Sequence, residues 1–185
     1  MKKLLLTLIA IFATTAHAGF MIETMSGYNS STDSNTSTTI TDSSNHIFVA
    51  ASLGQRARLY IGQNISLISQ QIKTTNTNKI STTELGPRMT YFFSDDNMFY
   101  FTAAWNPYAK GTRTVSSVSS DISGWSYLVG LGAELKVNRA FKIGGSLNYH
   151  ALNVTKSIDS SNVATEVSHS YTSLMPMINL CLSFR

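Results

Sequence analysis

From Tyr171 to Phe184 the chain alternates. Leu174, Ile178, Leu180, Leu182 and Phe184 fall on one face, and Ser173, Met175, Met177, Asn179 and Ser183 on the other. Period two is the mark of a strand with two unlike faces. Seven earlier segments repeat it. Phe20 to Tyr28 places Phe20, Ile22 and Tyr28 opposite Met21, Glu23 and Met25. The next six, with their apolar positions, are His46–Leu53 (Ile47, Val49, Ala51, Leu53), Arg58–Ile68 (Leu59, Ile61, Ile65, Leu67), Glu84–Phe93 (Leu85, Met89, Tyr91, Phe93), Met98–Tyr108 (Phe99, Phe101, Ala103, Trp105), Trp125–Val137 (Trp125, Tyr127, Val129, Leu131, Leu135, Val137) and Phe141–Ala151 (Phe141, Ile143, Leu147, Tyr149).

The connections alternate in length. Residues 54–57, 94–97 and 138–140 are tight turns, several of them carrying Gly, Asn or Asp, which tolerate positive φ. The other four, Ser30–Asn45, Ser69–Thr83, Ala109–Gly124 and Leu152–Ser168, are long and dominated by Ser, Thr and Asn. Short turns on one side and long loops on the other are what a membrane barrel shows. The expectation is an all-β protein: an eight-stranded antiparallel up-and-down transmembrane β-barrel with short periplasmic turns and four long extracellular loops.

The N-terminus sets the compartment. Lys2 and Lys3, the apolar run Leu4–Ala13 and the small-x-small site Ala16-His17-Ala18 read as a secretory leader, too short for a spanning helix. Residues 1–18 are then a signal peptide and 19–185 one barrel domain. No second apolar run is long enough for a helix, so membrane insertion requires a closed barrel, since lipid satisfies no free backbone groups. A strand ending on an aromatic, as here at Phe184, is what the outer-membrane assembly machinery receives. Charged residues make up 13% of the chain, against roughly 25% in soluble domains. The formal charge of +4 falls to +2 without Lys2 and Lys3, and no basic stripe points to nucleic acid. The lone Cys181 can form no internal disulfide and reads as a small packing residue.

Outward aromatics sort by strand end. Phe20, Phe93, Phe99, Phe141 and Phe184 fall at the periplasmic ends, and Tyr28, Trp105, Trp125, Tyr127 and Tyr149 toward the loops. Two such belts flanking an aliphatic band suit a bilayer with two interfaces. A soluble lipocalin-like barrel also alternates, but its wet face would need more charge than this chain has. The polar face carries Glu23, Arg58, Glu84, Arg88, Glu134, Lys136 and Lys142. Eight strands leave a bore that side chains fill, so these charges should be paired. Glu134 is expected to bridge Lys136 and Lys142, and Gly62, Gly86, Gly130, Gly132 and Gly144 to make room for long side chains. A structural plug is the simplest reading of this lumen network, and a gated ion path the alternative.

Catalytic signs are sparse. His150 with Glu166, Ser168 and His169 could form a His-Ser-Glu set able to activate a serine. However, the His-x-Ser-Asn pattern of lipid A deacylases and the amphipathic helix of palmitoyltransferase barrels are both missing. His46, His150 and His169 are read as interface or loop residues, with no catalytic, metal or cofactor-binding residue assigned. Lys73, Lys79, Lys110, Arg113 and Lys156 are basic and could meet the anionic sugars of lipopolysaccharide.

With its hairpin pattern, aromatic belts, charged interior and terminal Ile178-Asn179-Leu180-Cys181-Leu182-Ser183-Phe184, the chain resembles the small eight-stranded outer-membrane proteins of the OmpA-barrel, OmpX and Ail type. Arg185 departs from that pattern by following the terminal phenylalanine. The resemblance implies the outer membrane of a Gram-negative bacterium, outer-membrane lipid and lipopolysaccharide as surroundings, and host or phage surface ligands met by the loops. It implies a non-enzymatic structural or adhesin-like role, with a narrow porin-like channel and a lipid A-modifying enzyme as alternatives.

Overall fold

A computed structural model describes residues 19–33, 36–53, 58–74, 76–93, 98–159, 161 and 163–184. The leader at 1–18, the turns at 54–57 and 94–97, and Arg185 lie outside the described residues. Eight strands form one closed barrel: β1 (Phe20–Asp33), β2 (Thr38–Leu53), β3 (Leu59–Lys73), β4 (Thr77–Phe92), β5 (Phe99–Val115), β6 (Val118–Lys136), β7 (Phe141–Ile158) and β8 (Ala164–Phe184). Each pairs antiparallel with its neighbour in sequence, and β8 closes on β1 with Phe184 opposite Phe20.

Closure fixes a stagger. Following the pairs round from Met21 leads through Ala50, Gly62, Arg88, Ala104, Leu128 and His150 to Ser173. Met21 itself pairs with Ser183, ten residues further along β8. Such an offset tilts every strand to the barrel axis and leaves a bore only wide enough for side chains.

The two faces are inverted relative to a soluble protein. Ile47, Leu67, Leu131, Leu135, Leu147, Ile178 and many other large apolar residues are exposed on the outside. Inside, Glu23, Glu84, Arg88, Asn64, Asn106, Asn148 and Asn179 are buried. In water an exterior of this kind would aggregate. Against hydrocarbon it is the face that is solvated, and the closed ladder leaves no backbone edge to satisfy.

Strands of 14 to 21 residues exceed the 9–11 that cross a bilayer. The excess is on the loop side. Most of each long Ser/Thr/Asn segment, expected as open loop, is paired strand. Asp33 pairs with Thr38, Lys73 with Thr77, Val115 with Val118 and Ile158 with Ala164, so the strand pairing runs far up each of the four segments. Thr and Ser hold these extensions through cross-strand hydroxyl contacts: Thr32 with Thr39, Ser69 with Ser81, Thr114 with Ser119. Ser116 and Ser117 turn the β5–β6 tip at φ of 48° and 73°, the two-residue geometry that matches strand twist. On the opposite side, Asn138 Oδ1 accepts from the backbone N–H groups of Ala140 and Phe141 and shapes the β6–β7 turn.

Candidate functional site

The lumen is filled in layers. Toward the periplasmic end, Met21, Phe48, Ala50, Tyr60, Phe92, Tyr100 and Cys181 form a buried apolar cluster. Phe92 packs edgewise on Tyr60, with ring centroids 5.9 Å apart, and at a tilt on Tyr100, at 5.5 Å. Two ion pairs are set into this layer. Arg88 Nη2 donates to Glu23 Oε2 at 2.5 Å, Arg88 Nε donates to Thr102 at 2.7 Å, and the guanidinium lies 4.5 Å from the centre of the Phe48 ring. Lys142 Nζ donates to Glu134 Oε2 at 3.1 Å and lies 4.4 Å from the centre of the Phe92 ring. Aromatic faces thus share each cation with a carboxylate, a favourable combination away from water.

Polar side chains occupy the middle. Glu84 Oε2 accepts from Ser126 at 2.5 Å, from His150 Nε2 at 3.0 Å and from Asn106 at 3.3 Å, and Thr82 donates to the other oxygen at 3.1 Å. Ser44 and Ser66 flank the two ring nitrogens of His46 at 2.6 and 2.7 Å, and Asn64 donates to Ser66. Asn179 donates to the Tyr100 hydroxyl and accepts from Ser146. Above them a second apolar cluster, Ile80, Ala109, Ile122, Leu152 and Val154 with Val167 and Tyr171 against it, caps the bore.

The seven lumen charges therefore divide. Glu23 meets Arg88 and Glu134 meets Lys142. Glu84 is served by His150 and neutral donors rather than by a lysine or arginine. Arg58 lies half-buried just before β3. Lys136 and Lys142 are opposite one another across the β6–β7 hairpin, but Lys136 is exposed at the periplasmic mouth beside Asn138 and Arg139. Glu134 accordingly makes its ion pair with Lys142 and does not bridge two lysines; Lys136, last on its strand, is left to solvent.

Three further expectations are corrected. His46 and His150 are lumen residues, 2% and 6% exposed, not interface or loop residues. Their parity was readable: Ile47 and Tyr149 point out, so their neighbours point in. His150 is also separated from Glu166, Ser168 and His169, which are exposed on the β8 extension; His150 is opposite Ser173, and His169 opposite Val154. The His-Ser-Glu set that these residues could have formed is therefore not assembled. Ser126, the serine nearest the buried His150–Glu84 pair, gives its hydroxyl to the carboxylate, not to the imidazole. Finally, of the five glycines, only Gly130 and Gly132 make room for side chains, those of Asn148 and Tyr100; at Gly62, Gly86 and Gly144 a Cβ would strike the backbone of the adjoining strand.

The ten belt aromatics all lie on the outer surface. Phe20, Phe93, Phe99 and Phe184, and Tyr28, Trp105, Trp125 and Tyr149, are exposed; Phe141 and Tyr127 are partly covered. Trp125, Tyr127 and Tyr149 form a contiguous group, with centroids 6.2 Å apart from ring to ring. Tyr108 belongs with them and was missed. Counting from Trp105 sends it inward, but a register shift between Asn106 and Ala109 turns it out. Pro107 was the signal, because proline inside a strand marks a bulge or an edge.

A closed antiparallel ring with an apolar, aromatic-belted exterior and a polar, packed interior has the architecture of an eight-stranded outer-membrane β-barrel. In structure the chain is similar to neisserial surface protein A, an eight-stranded outer-membrane barrel, with a TM-score of 0.53 and 11% identity over 91% of this chain and 97% of that one. It also matches the translocator domain of autotransporter NalP from Neisseria meningitidis (TM-score 0.42, 14% identity, 98% and 67% covered). A third match is the β domain of the Bordetella autotransporter BrkA (0.47, 8%, 91% and 99%). No family profile matches the sequence, and no curated protein is similar to it.

Proposed function

We propose that the protein is a non-enzymatic barrel of the Gram-negative outer membrane that works at the cell surface, as a structural and adhesin-like protein, through its four Ser/Thr/Asn-rich hairpins. The observation that carries this is the contrast between bore and rim. The bore is filled by three apolar clusters, the third made of Met25, Met175 and Met177, with hydrogen-bonded polar groups among them, which favours a plug over a channel. The rim is built from paired strands that stand above the aromatic belt and display hydroxyls in fixed register. A surface rich in hydroxyls and carried on paired strands suits contact with host or phage surface molecules by hydrogen bonding. The buried Glu84–His150–Ser126 group lies beneath the upper apolar cluster, and its serine hydroxyl is given to the carboxylate.

The test shortens each hairpin to a two-residue turn at the level of the belt, in otherwise intact cells. Barrel assembly should persist while adherence to an epithelial layer, or plating of a phage panel, falls. Lipid A mass spectra from deletion and complemented strains should coincide. Adherence and plating that ignore the hairpins, or a lipid A change that follows the gene, would contradict the reading.

A further inference from the structure

The outer surface is not uniform around the barrel. β1 to β4, and the β8–β1 seam, pair without interruption. The next four pairings each break register once, between Leu85 and Arg88, Asn106 and Ala109, Ser123 and Gly124, and Val154 and Lys156. Bulges bend strands and re-aim side chains, and they are common at barrel rims and beside functional sites. Here they fall in one arc, and beside them the outer wall holds a groove of about 760 Å³ across β4 to β7.

The groove's floor is a cross-strand row: Thr83 opposite Lys110, Lys110 opposite Ser123, Ser123 opposite Lys156. Two strand spacings, roughly 10 Å, separate the two lysines. Tyr108 lies next below Lys110 on β5, and Trp125 next below Ser123 on β6, so the row stands directly on the aromatic belt. Neither ammonium is ion-paired among the described residues; Lys110 rests 5.4 Å from the centre of the Tyr108 ring. Asp121 borders the groove one step higher, and Glu166 stands opposite Lys156 on β8 without an ion pair among the described residues. A second groove, about 340 Å³, continues from Lys110 toward β2 and is lined chiefly by hydroxyls and Asn45.

We propose that this arc seats the phosphorylated sugar headgroup of a glycolipid in the outer leaflet. The depth is that of lipid headgroups, because the aromatic belt marks the interface. The lysines match phosphates and the Ser/Thr row matches sugar hydroxyls, while Tyr108 and Trp125 meet the start of the acyl chains. A plain phospholipid would use the lysines and leave the hydroxyl row unoccupied. The inference rests on the membrane seating of the barrel and is independent of the surface-binding role.

The full folded barrel in neutral detergent should be titrated with bisphosphorylated lipid A, with its dephosphorylated form and with phosphatidylglycerol, and complexes counted by native mass spectrometry. Each lysine near an anionic surface contributes about a fivefold factor, so Lys110→Gln with Lys156→Gln should weaken lipid A binding on the order of 30-fold. Lys73→Gln with Lys79→Gln, an equal charge change near the β3–β4 tip, should leave it unchanged. Ser123→Trp, which fills the groove and keeps the charge, should also weaken it. Removing the phosphates should cost as much as removing the lysines, and phosphatidylglycerol should bind more weakly than lipid A. Equal losses in both lysine pairs, an unaffected Ser123→Trp, phosphatidylglycerol binding as tight as lipid A, or no lipid A binding by the wild type would each overturn the proposal.

Discussion

Arg88 is the largest fully buried side chain described, and every group around it is there to keep its charge inside a barrel. Glu23 neutralises it, Thr102 takes a second N–H, and Phe48 offers a ring face. The Glu134–Lys142 pair is built the same way, which makes it a clean subject for a double-mutant cycle. Glu134→Ala should cost about 3–5 kcal/mol by stranding a buried ammonium, and adding Lys142→Met should recover part of it. Lys136→Ala at the wet mouth should stay within about 0.5 kcal/mol. Urea midpoints for folding into lipid vesicles read all three; a large effect at Lys136 would restore the bridged arrangement. Gly132→Ala should cost about 1–3 kcal/mol in the same titration, because its methyl would strike the Tyr100 ring. At this scale the sequence was legible where parity decided the outcome: alternation assigned Glu23, Glu84, Arg88, Glu134 and Lys142 to the inner face, where they are buried, while Lys136 at the end of its strand is exposed. The two lumen histidines follow the same parity, but His46 opens its segment and His150 stands next to last in its own, so each reads as a segment-end residue.

Alternation reads only where the two faces differ in hydropathy. Across the membrane band they do, and Leu131 or Ile143 outside against Gly130 or Lys142 inside is plain in the sequence. Above the belt the outer face turns polar and the inner face keeps only scattered apolar residues such as Ile80, Ile122 and Val154, so the pattern fades while the strand continues. The four long segments therefore read as loops, although Thr-rich pairs such as Thr32 with Thr39 carry the ladder to its tip. Bulges are the other blind spot, as Tyr108 shows. The band and the extensions should respond differently to charge. Leu131→Arg, 60% exposed to what is lipid in the cell, should cost roughly 2–4 kcal/mol, whereas Ser119→Arg in the β5–β6 extension should cost little. Equal effects in refolding titrations would mean the hydrophobic band has been drawn at the wrong height.

For the molecule as a whole, closure and filling are separate properties with separate tests. Closure leaves no free edge from which to unravel. The folded protein should therefore resist SDS at room temperature and migrate differently on a gel after boiling; identical migration would favour a soluble fold. Filling is the central claim, because it turns the barrel from a conduit into a platform for its rim. It joins the paired lumen charges, the three apolar clusters and the narrow bore set by eight staggered strands. Single-protein conductance in a planar lipid bilayer measures it most directly. The account predicts a closed baseline with at most small, infrequent openings, made more frequent by Glu134→Ala. A large, steady conductance in the wild type, unchanged by that substitution, would show a water-filled pore and contradict it.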